Sequence, residues 1–162
     1  GTLGLMAHED GERVPRCGTN NSMISAGWLR SHPDIRFDPD LGRLGGEDMV
    51  FSRSAMQAGL HARFAADAPV HEQEPPSRAT LQYQLSRALW MGNTEAVTNL
   101  RAGDATRMQL VLRSVNRLRH ALWRPVRRML DGQTPQLRFT LAQHAQILGL
   151  LLGAIGRELE HR

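Results

Sequence analysis

The hydrophobic pattern is strongest in the C-terminal third of the chain. Between residues 104 and 130, Met108, Val111, Leu112, Val115, Leu118, Leu122, Val126 and Met129 recur mostly at steps of three and four. That is the period of one helix face, so the spacing predicts an amphipathic helix. Arg107, Arg113, Arg117, Arg124 and Arg128 fall mainly off the stripe. Pro125 is expected to kink or split this helix, because its ring removes an amide donor and crowds the preceding turn. A last helix is predicted from about Leu137 to Leu159. Its apolar centre, "ILGLLLGAIG", is ten residues long, against roughly 20 for a bilayer span. Gln143, His144 and Gln146, just upstream, argue further against spanning.

Upstream the periodicity is weaker. Phe51, Ala55 and Ala58 recur at i, i+4, i+7, which predicts a helix from Glu47 to Ala58 with Gly59 as its stop. Thr80 caps a predicted helix from Leu81 to Met91, ended by Gly92–Asn93. "RCGTNNSMIS", residues 16–25, reads as a short strand, and "HARFAADAPVHE" alternates enough for one or two more. "HEDGERVP" reads as a polar turn. "GWLRSHPDIRFDPDLGRLGG" is a loop rich in Pro, Gly and Asp, opened by a helical turn around Ala26–Arg30. No internal repeat is visible.

Composition adds an asymmetry. Residues 1–100 carry 9 Arg against 12 acids, whereas residues 101–162 carry 11 Arg against 4 acids. A basic tail of this kind suits an anionic surface. All 20 basic residues are arginine, which points to a GC-rich coding bias more than to a function. The one cysteine, Cys17, allows no internal disulfide and fits a reducing compartment. No signal peptide is visible.

Several polar groups could carry chemistry. Glu47 and Asp48 follow Gly45–Gly46 at a helix start. The helix dipole stabilises acids there by about 0.3–1 kcal/mol, which alone accounts for "GGED". The same dipole keeps Asp48 ionised on a rigid element beside a flexible loop, as a general base requires. Asp38 and Asp40 form an Asp-x-Asp pair in a proline turn. His71 or Glu72 could ligate a metal or orient a substrate. Arg78, Gln84 and Arg87 could offer donors to a diphosphate. Each of these also has an ordinary reading as a solvated surface group.

Taken in order, "GTNNSMI", "RFDPDLGRLGGEDMVFSRSAMQAG" and "ADAPVHEQEPPSRATLQYQLSRALWMGN" resemble the second half of a family 2 inverting glycosyltransferase of the GT-A fold. The nearest type is the bacterial enzyme of exopolysaccharide and surface-glycan synthesis. The resemblance covers residues 8 to about 95. It implies an α/β fold, with residues 1–100 as the acceptor-side half of a GT-A catalytic domain and residues 101–162 as a basic amphipathic helical tail. It implies transfer of a sugar from a nucleotide-diphosphate donor to a saccharide or lipid-linked hydroxyl acceptor. Asp48 would be the base, and Glu47 would hold the acceptor or the helix start. Gly45 and Gly46 would make room for the sugar, and Asn20 and Asn21 would line the acceptor side. Arg78, Gln84 and Arg87 would bind substrate. One of His71 and Glu72 would complete a Mg²⁺ or Mn²⁺ site. "QLSRA" has Ala88 where processive members carry Trp, which implies a non-processive enzyme.

The family's nucleotide-binding half would precede residue 1, so the resemblance implies a C-terminal fragment, inactive in isolation. The implied location is cytoplasmic, at the inner face of the cell membrane. An alternative reading is a non-catalytic module acting on a membrane surface or a partner through residues 104–159. No nucleic-acid motif or interleaved aromatic pattern accompanies the arginines, so nucleic acid is not an expected partner.

Overall fold

A computed structural model of the chain describes residues 8–14 and 18–160. It contains helices α1 (Ala26–Ser31), α2 (Glu47–Gln57), α3 (Leu81–Arg101), α4 (Arg107–Leu130) and α5 (Leu137–Ala154), with short 3₁₀ turns between them. Among the described residues there is no β-strand, only an isolated antiparallel bridge between Arg13 and Arg63. The expected α/β class is therefore overturned, and with it the resemblance to a GT-A glycosyltransferase, whose fold needs a β-sheet core. The strand expected over 16–25 is a 3₁₀ turn at Thr19–Asn21 followed by irregular chain; its Arg16 and Cys17 lie outside the described residues. The stretch from His61 to Glu72 makes only the Arg63 bridge. Its Ala, Asp and Pro residues favour strand poorly.

The described residues divide into two compact units, one within Gly1–Pro39 and Glu47–Gln73, the other within Asp40–Gly46 and Glu74–Arg162. In the first, Ser25 caps α1 by accepting from the Trp28 amide at 3.3 Å. The Trp28 ring stacks on His32 with centroids 4.2 Å apart. Helix α2 buries Phe51, whose ring stacks on Phe37 at 4.3 Å. It stops where Gly59 takes φ +88°, a left-handed conformation that favours glycine.

In the second unit the helices run up, down and up. Helix α3 continues past its expected stop at Gly92–Asn93 to Arg101. Gly92 is not a cap but a contact point: a Cβ there would overlap the Gln146 carbonyl of α5. A Cβ at Gly149 would likewise overlap the Leu89 carbonyl of α3. Asn93, buried at this crossing, donates to the carbonyls of Gly149 (3.3 Å) and Arg157 (2.7 Å) and accepts from the Leu159 amide (2.8 Å). A polar side chain is thus tolerated in the core because its amide nitrogen and its oxygen are both paired.

Thr106 opens α4 with a capping box, its hydroxyl accepting from Gln109 N while the Gln109 side chain accepts from Thr106 N. The helix continues unbroken through Pro125. It lies antiparallel to α5: the Arg107 guanidinium donates to the Ala154 carbonyl at one end, and the Arg124 guanidinium sits over the Phe139 ring at the other. Arg117 ties α4 to α3 through a bidentate pair with Glu95 at 2.7 and 2.8 Å. The resulting core is small: Ala96, Ala105, Leu110, Leu150 and Ala154, with Leu100 and Val111 against it.

Candidate functional site

The residues expected to form a site fall into both units. Asn20, Asn21, Glu47, Asp48, His71 and Glu72 belong to the first, while Gly45, Gly46, Arg78, Gln84 and Arg87 belong to the second. Glu47 and Asp48 occupy the first turn of α2, half-buried, and one Asp48 oxygen accepts from the Met49 amide at 2.8 Å. Asn20 and Asn21 are exposed in the 3₁₀ turn, where Asn21 donates to the Ala68 carbonyl at 3.1 Å. His71 and Glu72 lie in exposed irregular chain. Among the described residues no group of three or more His, Cys, Asp or Glu could hold a metal ion.

Gly45 and Gly46 have φ +77° and +86°. The space a side chain would take at Gly45 is filled by the Trp90 ring, and at Gly46 by the methyls of Thr94 and Thr98. Thr94 also donates to the Leu44 carbonyl at 2.9 Å. Packing against α3 therefore accounts for both glycines. Arg78 lies 6.0 Å from the Tyr83 ring centroid, while Gln84 and Arg87 are exposed on the early turns of α3.

A different feature dominates the second unit. The residues of α4 that face the bundle are Leu110, Ser114 and Ala121. The apolar stripe points elsewhere: Met108 is 67% exposed, Leu122 57% and Met129 64%, with Leu112, Val115 and Val126 exposed alongside. Helix α5 repeats the arrangement. Ile147, Leu150 and Ala154 are buried, while Leu137, Leu141, Leu148 and Ile155, spaced i, i+4, i+11, i+18, are exposed.

The two stripes share one side of the layer. At 3.6 residues per turn, each lies about 120° from its own helix's buried line, in the same rotational sense. Because α4 and α5 are antiparallel, the same offset carries both stripes to the same side. Helix α3 borders the other side, where it meets Gly149 and Gly153 of α5 and pairs Glu95 with Arg113 and Arg117 of α4. A two-helix apolar face results, about 32 Å long from Met108 to Met129 at 1.5 Å per residue.

Both helices that carry the face are basic. Helix α4 contains seven arginines and no acid, and α5 contains Arg138 and no acid. Arg119 projects beside the α4 stripe, and Trp123, 59% exposed, flanks it. The sequence pattern found the α4 stripe but not its exposure, and it did not separate the exposed apolar line of α5 from the buried one. Among the described residues no helix is long and apolar enough to cross a membrane. No protein-family model, curated protein or solved structure matches this chain.

Proposed function

We propose that the second unit is a membrane-surface module, whose α4–α5 face docks on an anionic lipid bilayer. The observation that carries this reading is the exposed two-helix apolar face, flanked by Arg119 and Trp123 on a helix with seven arginines and no acid. An interfacial helix combines those parts: an apolar line in the acyl boundary, cations toward the headgroups and an indole at the interface. Charge selects the occupant. A second copy would bring one acid-free, arginine-rich helix against another, whereas anionic headgroups complement it. A flat face two helices wide also suits a bilayer better than the groove that receives a single partner helix.

Co-sedimentation with vesicles tests the reading. The protein should pellet with anionic vesicles, release as salt rises, and bind zwitterionic vesicles weakly. Leu122→Glu should weaken binding about 30-fold. Losing the half-exposed leucine removes roughly 1 kcal/mol of burial, and a carboxylate facing anionic lipid costs about 1 kcal/mol more. Because Leu122 is exposed, the variant should melt like the parent. Binding that ignores lipid charge, or that survives this substitution intact, would sink the proposal.

A further inference from the structure

We infer that the cleft between α4 and α5, on the side bordered by α3, binds a soluble phosphate monoester. The cleft has a volume of about 320 Å³ and is lined by Arg117, His120, Arg124, Gln143 and Gln146. That volume is at the small end of ligand sites, which run from about 300 to 1,000 Å³. No carboxylate lines it. Glu95, the partner of the lining residue Arg117, is held by it in a bidentate pair and by Arg113 at 3.7 Å.

Two side chains that line the cleft have no hydrogen-bond partner among the described residues. Arg124 has its guanidinium carbon 4.3 Å from the Phe139 ring centroid, and it makes no hydrogen bond or ion pair among the described residues. A guanidinium seated over a ring keeps its N–H edge available for bidentate pairing with an oxyanion. The Gln143 side-chain oxygen is buried with no hydrogen-bond partner. Such an atom carries a desolvation cost that a ligand donor would relieve. The cleft therefore asks for oxyanion acceptors toward Arg124 and His120, and one hydroxyl donor toward Gln143. A phosphate monoester supplies both, from its phosphoryl oxygens and from a P–OH or neighbouring carbon hydroxyl. The cleft opens away from the α4–α5 apolar face, so it would stay in water with that face on lipid.

Calorimetric titration of the full chain with inorganic phosphate, at constant ionic strength and without lipid, tests this independently of membrane binding. Saturable binding is expected, weakened at least fivefold by Arg124→Gln and by Gln143→Met. Arg119→Gln, the same charge change beside the apolar stripe, should alter the affinity less than twofold. Gln143→Met removes the unpartnered oxygen and should melt no lower than the parent, so it remains informative even if Arg124→Gln misfolds. Absence of saturable binding, or equal losses in Arg119→Gln and Arg124→Gln, would overturn the site. Glycerol 3-phosphate added to vesicle-bound protein should bind as it does in solution. Its exclusion there would overturn the assignment to a soluble ligand.

Discussion

Gly149→Ala should destabilise the second unit even though alanine is the better helix former. The added methyl would overlap the Leu89 carbonyl and come 2.9 Å from the Asn93 amide nitrogen. These are backbone atoms of a helix, so no side chain can swing aside, and α3 and α5 must separate. Forced overpacking costs up to about 3 kcal/mol. Replacing glycine within a helix returns roughly 1 kcal/mol. The net loss is about 2 kcal/mol, which lowers the melting temperature of a unit of this size by roughly 8–16 °C. Gly27→Ala is the matched control, because its methyl would meet only Ser25 Oγ at 3.5 Å, an ordinary contact. Thermal denaturation followed by circular dichroism at 222 nm reads both. If Gly149→Ala melts at or above the parent temperature, the close crossing of α3 and α5 is wrong.

Two further changes probe the frame that holds the face. Asn93→Ala removes three hydrogen bonds, one buried and two part-buried, costing about 2–3 kcal/mol. Amide exchange at Leu159 should accelerate in that variant, and unchanged protection would contradict the role given to Asn93. Thr106→Ala deletes the cap of α4 and should cost about 1 kcal/mol, whereas Thr106→Ser should restore most of the loss in urea denaturation.

Legibility in the sequence followed the reach of the interactions. The helices at 47–58 and 104–130 could be read from apolar spacing, the end of the first from Gly59, and the start of α3 from Thr80. The end of α3 could not be read, because Gly92 has the composition of a stop but the job of a contact. Only the opposing Gln146 carbonyl, 54 residues on, distinguishes the two. The strand readings failed at short alternating segments that have no neighbouring strand to pair with. The family resemblance rested on local strings that contain no statement about a sheet. At Asp48 the sequence indicated a helix start, and the acid stands in the first turn of α2. For the apolar stripes, periodicity identifies a helix face but not what covers it. Helix α4 turns its small residues Ser114 and Ala121 inward, which leaves the larger side chains outside.

The most direct test of the lipid-docking face is a depth measurement that asks whether both helices enter together. Single nitroxide labels at positions 122, 148 and 113, on a Cys17→Ser background, can be read by power saturation with oxygen and with a water-soluble relaxation agent. On anionic vesicles, labels at 122 on α4 and 148 on α5 should both gain oxygen accessibility and lose contact with the aqueous agent, while the label at 113 stays in water. A label at 148 that remains as wet as the one at 113, or three labels that all stay in water on bound protein, would contradict a shared α4–α5 face on the membrane.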